Sequence, residues 1–313
     1  MTTPLVRQWL DAGELNLPLP ASGDTVGRWL KLVELTEVDV VAGRLAEAHT
    51  DAVAILAELG GPRAQPGQLW GVWAAEAPGH RLTARHDGDG VALVGVKPWC
   101  SGSGLCSHAL VTAHGVDGDR ELFAVDLAQP GVTPLASSWR NAGMATSDTR
   151  SVRFDDAPAM PIGAPGDYLA RPGFWHGAIG EAACWLGGAR AVAARLYRAV
   201  AEQDGGASVN PHAQAHLGAV DAALAAAEAM LVSAADFVDT EPSSGRTELI
   251  ARRVRAVAET AVDEAITRTG RALGPAPLAL DADHARRVAD LTMYVRQSHA
   301  EQDLAALGRL ACR

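Results

Sequence analysis

The first sixty residues carry apolar side chains at helical spacing. Trp29, Leu30, Leu32, Val33 and Leu35 fill one apolar face, and Val40, Leu45, Ala48 and the run from Ala52 to Leu59 continue it. Gly60, Gly61 and Pro62 stop that pattern, and the Pro/Gly/Gln-rich run to Gln68 reads as a linker. From about Leu69 to Pro165 the pattern shortens to β-type runs between turn residues. Val91 to Gly95 follows Asp87-Gly88-Asp89-Gly90, Ala109 to Ala113 follows a Ser/Gly stretch, and Leu122 to Asp126 follows Asp117-Gly118-Asp119. Strands at this spacing predict a small antiparallel sandwich or barrel.

From about Tyr168 onward the helical period returns in an alanine- and arginine-rich setting. It predicts helices over Gly173–Gln203, Pro211–Asp239, Thr247–Leu273 and Ala282–Leu310, punctuated by Gly205-Gly206, Pro242 to Gly245 and Gly274-Pro275. Small residues allow close helix packing, as in a four-helix bundle with short antiparallel loops. The expected organisation is therefore α+β multidomain: an N-terminal helical domain over 1–68, a middle antiparallel β-domain over 69–165 and a C-terminal four-helix bundle over 166–313. No internal repeat is evident.

Composition narrows the partners. The chain has 313 residues, enough for roughly two domains with sizeable cores. Its 37 acidic residues outnumber 27 Lys and Arg, for a net charge of −10. No long basic stripe exists to release counterions, which argues against nucleic acid and against an anionic membrane. No window is expected to approach the ~20 apolar residues that span a bilayer. The N-terminal MTTPLVRQWLDAGELN has charges where a secretion signal carries its apolar core. Cys100, Cys106, Cys184 and Cys312 form neither a disulfide framework nor a CxxC zinc pair. A cytoplasmic, reducing location is the expectation.

The β segment holds the most informative stretch. Val72-Trp73-Ala74-Ala75-Glu76-Ala77-Pro78-Gly79 is followed about twenty residues later by Val94-Gly95-Val96-Lys97-Pro98-Trp99-Cys100-Ser101-Gly102. These resemble the "TEPgaGSD" and "GxKxW(I/C)(T/S)" elements of the acyl-CoA dehydrogenase family. Phe123 to Asp126 and Pro130-Gly131-Val132 resemble that domain's later strands. Trp139 to Asp148 resembles its "GmrgtdS" segment, and Val152 to Pro158 the strand that ends it. Arg171-Pro172, Gly177 and Gly180 resemble the family's "tRPxxxxGxxG" entry into the bundle. The resemblance covers about residues 40 to 310, with the motifs in family order.

What this resemblance implies is an FAD-dependent oxidoreductase that desaturates an acyl thioester, acyl-CoA or a carrier-bound acyl group. The family's isoalloxazine lies against the β-domain. Trp99 matches its aromatic wall, Ser101 the hydroxyl at the ring edge, and Cys100 lies between them. Trp73 offers a second aromatic surface, and Ala74, Ala75 and Glu76 match the strand end whose backbone meets the ring. Ala75 replaces the family's Thr, so one side-chain hydrogen bond is lost, and Gly79 to Thr83 lacks the "GSD" that approaches the phosphates. Arg171 matches the arginine near the thioester. Arg198 to Gly206 lacks a Phe-Gly, and Thr267 to Pro275 loosely matches a later glycine-pair element in which Arg268 and Arg271 would hold the pyrophosphate charge and Gly270 would line the cofactor site.

The base is the main departure. Alpha-proton abstraction needs a base beside the α-carbon, and in this family that base is usually an ionised carboxylate. The family supplies it just before the matched arginine, which is Ala170 here, or about eight residues after a late "RD" element. Arg286 to Asp290 is the best match to that element, and counting on reaches Ser298, beside His299. Neither position is a carboxylate. Three readings stay open: His299 or Glu301 is the base; the chain is a flavin-dependent monooxygenase-type relative; or it is the non-catalytic subunit of a heteromeric dehydrogenase. Homodimer or higher self-association, a hetero-oligomer, and an electron-accepting flavoprotein are the expected partners. No resident metal is expected: His212 and His216 lack a third ligand, and Gly102-Ser103-Gly104 lacks a nucleophile elbow's context.

Overall fold

A computed structural model describes residues 2–88, 90–115, 117–203 and 210–312 of the chain. Asp89, the Gly205-Gly206 punctuation and the end of the Arg198 to Gly206 stretch lie outside the described residues. In chain order come helices α1 (Thr2–Asp11), α2 (Thr25–Val38) and α3 (Val40–Glu58). Strands follow: β1 (Trp70–Trp73), β2 (Leu82–Asp87), β3 (Gly90–Cys100), β4 (His108–His114), β5 (Arg120–Asp126), β6 (Val132–Pro134), β7 (Arg150–Pro158) and β8 (Met160–Pro161). The last part is α4 (Asp167–Ala170), α5 (Gly173–Gln203), α6 (Pro211–Thr240), α7 (Thr247–Leu273), α8 (Ala276–Leu280), α9 (Ala282–Tyr294) and α10 (Glu301–Ala311). The chain divides into two compact units. One holds 2–17, 45–140 and 145–174; the other holds 18–44, 141–144 and the chain from 175 on.

The first unit is built on a curled sheet in the order β6-β7-β3-β2-β4-β5-β8, with β1 beside β4. Pairing is antiparallel except for β1 with β4 and the short contact of β2 with β4, which are parallel. Alternation along β4 sorts its side chains. Ala109, Val111 and Ala113 enter a core with Leu93, Phe123, Val152 and Phe154, while Leu110 joins Trp70, Leu122 and α3 residues Ala52, Ile55 and Leu56. Both faces are thus covered, and each fully buried Phe or Leu contributes about 2 kcal/mol. At Gly95, φ is +125° and an added Cβ would strike the Arg81 carbonyl. Only glycine fits this irregularity in the β3–β7 ladder.

The second unit packs α2 and α9 with the long helices α5, α6 and α7. Trp185 on α5 is fully buried, meets Tyr294 edge-on with centroids 6.5 Å apart, and lies under the Arg255 guanidinium at 4.4 Å. An added Cβ at Gly187 would strike the Val33 carbonyl, so this glycine lets α5 and α2 approach. Asp24 caps α2 through the Gly27 amide (3.1 Å), and Asn210 caps α6 ahead of its first-turn proline.

Two expectations need correction. By length and composition α6 is apolar enough to cross a bilayer, with a mean hydropathy of 1.5 over its most apolar window. Alanine-rich sequence gives that value. Val220, Leu224, Leu231 and Val238 are buried within the unit, while Asp221 accepts the Tyr197 hydroxyl and Glu228 pairs with Arg190. The expected single helix over Ala282–Leu310 is also broken. After α9 a short 3₁₀ turn covers Val295–Gln297, and Ala300 takes φ +45° before α10 starts. Side chains hold the break: Ser298 Oγ accepts the Ala300 amide (3.1 Å), and Asp303 accepts the His299 amide (3.0 Å).

Candidate functional site

One group of chemistry-bearing side chains of the first unit gathers where β3 ends. Pro98 has no amide to give the ladder, and the pairing of β3 with β7 shifts between Lys97 and Cys100. The irregularity turns successive side chains to opposite fates. Lys97 and Cys100 are buried, whereas Trp99 is 52% exposed and held at φ +59°. A bulky residue in the left-handed region costs on the order of 1 kcal/mol, so the surroundings over-determine this conformation. Trp139 meets the exposed indole edge-on, with centroids 6.2 Å apart at 87°.

Ser101 is tethered at three points. Its amide donates to the Trp99 carbonyl (3.1 Å), its carbonyl accepts the Trp73 indole N–H (2.9 Å), and its hydroxyl lies 2.9 Å from that of Thr149. Thr149 in turn lies 2.7 Å from the hydroxyl of Ser147, which is buried. Gly102 adds a backbone bond to the Ser147 carbonyl (2.8 Å). Trp73 itself is 2% exposed, so its ring belongs to the sheet core and reaches the surface only through that hydrogen bond.

Below this surface lies a buried cation. Lys97 Nζ donates to the Thr112 carbonyl (2.8 Å) and hydroxyl (2.9 Å), and the Thr112 hydroxyl donates to the Ala74 carbonyl (3.4 Å). Burial pulls the Lys97 pKa down to about 8, with the Glu76 carboxylate opposing. Burial likewise pushes the Cys100 thiol well up, which makes it an inert core residue. Glu76 accepts from His114 Nε2 (3.0 Å) and Arg120 Nη2 (2.9 Å), and Ala75 is exposed beside it.

Arg171 follows α4, and its side chain is 4% exposed. Its Nη1 donates to Glu58 Oε2 (2.7 Å), its guanidinium lies 5.4 Å over the Tyr168 ring, and its Nε has no hydrogen-bond partner among the described residues. Glu58 Oε1 accepts the Gly173 amide (3.0 Å), so one carboxylate holds both the arginine and the first turn of α5. Burial first, then the Asp51 carboxylate, raises the Tyr168 phenol well above its usual range.

The other candidates lie in the second unit. The His299 ring is 73% exposed, with Nδ1 3.6 Å from Asp303 Oδ2. Burial alone would raise the Asp303 carboxyl; the His299 amide, Arg255 and Arg252 outweigh it and hold it low. Ser298 donates to Glu259 Oε2 (2.6 Å), and Glu301 is exposed in the first turn of α10. Arg268 pairs with Glu264 one turn away, and Gly270 faces open space.

Hydrogen bonds therefore link Trp73, Ala74 and Ser101 with the strand end that carries Trp99 and Cys100, and set Arg171 with Glu58. Thr149, Ser147, Trp139 and Glu58 had no assigned role in the sequence. The hydroxyl run Thr146-Ser147-Asp148-Thr149 was a signal for the first two, and nothing marked Glu58.

No protein-family model and no curated protein matches the chain. Solved structures do. A chain from the structural study of the electron transferring flavoprotein of Acidaminococcus fermentans matches with a TM-score of 0.85 and 19% identity, over 98% of this chain and 89% of that one. Butyryl-CoA dehydrogenase from Megasphaera elsdenii matches with a TM-score of 0.85 and 18% identity, also over 98% and 89%. The dibenzothiophene monooxygenase TdsC from Paenibacillus sp. A11-2, solved with FMN and indole, gives 0.78 and 20%, over 98% and 94%. The chain has the acyl-CoA dehydrogenase fold.

Proposed function

We propose that the protein is a flavin-dependent oxidoreductase whose flavin ring lies against Trp99 with its edge at Ser101. The observation that carries this is the β3 end itself. A half-exposed indole is held in a strained conformation beside a hydroxyl fixed at three points, and such strain gathers at ligand-contacting positions. The residues fit the ring of a flavin, which needs a flat apolar wall and a directed donor. For the phosphate end Arg268 is the family-matched cation, and it is already paired with Glu264. The fit thus favours a bound flavin without favouring FAD over FMN.

A flavin held there supplies a two-electron acceptor. The chain's own part is to exclude water with Trp99 and Trp139, to aim the Ser101 hydroxyl, and to hold the Ala74 to Glu76 strand end from beneath through Lys97 and Thr112. The first reading of the substrate is an acyl thioester, acyl-CoA or carrier-bound, that loses hydride in α,β-desaturation, with an electron-accepting flavoprotein as partner. His299 and Glu301 are then the candidates for the proton acceptor. One observation favours a second reading, a monooxygenase-type flavoenzyme: Ala170 and Ser298 stand where the family places its carboxylate.

A visible spectrum of flavin-loaded protein, followed without oxygen across a panel of acyl-CoAs, tests the choice. Bleaching by a thioester is expected for the dehydrogenase. A bound flavin that every thioester leaves oxidised overturns that substrate reading, in favour of the monooxygenase type or of a missing catalytic partner.

A further inference from the structure

Ser101, Thr149 and Ser147 form a line of three hydroxyls with O···O distances of 2.9 Å and 2.7 Å. The line runs inward, from part-buried Ser101 through Thr149 at 9% exposure to Ser147 at 1%. Each hydroxyl carries one proton and accepts through its lone pairs, so neighbours in a line set one another's direction. Thr149 sits in the middle and has one proton to give. If it donates inward, Ser101 donates to it and turns lone pairs outward. If it donates outward, the Ser101 proton is left as the donor at the surface.

The backbone around the line is fixed independently. Gly102 donates to the Ser147 carbonyl (2.8 Å), and the Asp148 side chain between the two inner hydroxyls takes Arg150 Nε (2.6 Å) and the Gly104 amide (2.9 Å). Asp148 is at φ +47°, a left-handed residue that sets Ser147 and Thr149 side by side. The strand end and the 147–149 turn are thus locked together around the line.

Resting on the placement of the flavin edge at Ser101, we propose that Thr149 is a positioning residue. With Ser147 behind it, Thr149 fixes the direction in which the Ser101 hydroxyl points. Thr149 touches neither cofactor nor substrate and acts through Ser101 alone.

The test uses the full chain titrated with FMN and, separately, with FAD, reading the visible-band shift and the Kd. Wild type is compared with Ser101→Ala, Thr149→Val, Thr149→Ser, Ser147→Ala and the double variant Ser101→Ala/Thr149→Val. Thr149→Val keeps the side chain's shape and removes the hydroxyl. It is expected to reproduce most of the Ser101→Ala band shift and to weaken binding about fivefold, the size of one directed hydrogen bond. Thr149→Ser restores the wild-type spectrum and Kd. In the Ser101→Ala background Thr149→Val adds nothing, because its only route is through Ser101.

A Thr149→Val protein with wild-type spectrum and Kd, beside a shifted Ser101→Ala, overturns the positioning role and leaves the flavin placement standing. If Ser101→Ala is also unchanged, or wild type takes up neither flavin, the placement fails and the inference with it. Should Thr149→Val not fold, Thr149→Ser and Ser147→Ala decide. A shift in Ser147→Ala with none in Thr149→Ser supports the line, and no shift in Ser147→Ala overturns it.

Discussion

Glu58 and Arg171 lie 113 positions apart in sequence, and their carboxylate oxygen and guanidinium nitrogen are 2.7 Å apart. The arginine is buried and the carboxylate is part-exposed, so Glu58 is what makes a cation at this position tolerable. Its second oxygen ties the start of α5 to the end of α3. Replacing it with Gln leaves Arg171 charged and buried without its Glu58 carboxylate partner. Glu58→Gln should lower unfolding free energy by about 3 kcal/mol, read from a urea midpoint. A loss below about 0.5 kcal/mol would show that the pair contributes little.

Lys97 gives the stability a distinctive pH dependence. Its folded pKa is lowered from 10.5 to about 8 by burial. Between those values the unfolded chain binds a proton that the folded chain does not, so stability rises with pH across that window by at most about 1.4 kcal/mol per unit. Below about pH 8 both states are protonated and the contribution is flat. In Lys97→Met the rise should vanish. Equal slopes for the variant and wild type from pH 8 to 10 would contradict a lowered folded pKa.

Ala300 occupies φ +45° at the break before α10, a conformation that favours glycine. Ala300→Gly should therefore stabilise the protein by about 1 kcal/mol, visible as a raised Tm. A lowered Tm would mean that the break is not built this way.

Trp99 sets strain against function. Trp99→Gly relieves the left-handed indole residue but loses the ring contact with Trp139, two effects of about 1 kcal/mol each. Stability should change by less than about 1 kcal/mol, while the flavin Kd should rise at least about tenfold. An unchanged Kd would remove Trp99 from the binding surface.

Much of this architecture was legible because each element carries its own period and its own stop. Gly173–Gln203 and Thr247–Leu273 are bounded by proline and glycine signals, and β4 and β5 by Ser/Gly and Asp-Gly turns, so local pattern and final structure agree. The break at Ser298 to Ala300 was illegible because no glycine or proline marks it. It is made by Asp303 and Ser298 side chains taking backbone amides inside an unbroken helical pattern. The site divides in the same way. Trp99 and Ser101 stand in a contiguous motif and could be singled out, whereas Thr149 reaches Ser101 only through the pairing of β3 with β7 and the turn before it. Glu58 meets Arg171 only because α3 covers one face of the sheet. Lys97 and Cys100 flank Pro98 and Trp99 in the sequence. Strand alternation and the irregularity at Pro98 decide that both point inward.

The most direct measurement is an FMN and FAD titration of the purified full chain, followed by visible absorbance, for wild type beside Trp99→Gly. The expected result is saturable uptake of at least one flavin by wild type, with a perturbed visible band that Trp99→Gly weakens. A wild-type protein that takes up neither flavin, or binds one identically without the indole, would contradict a flavin ring against Trp99.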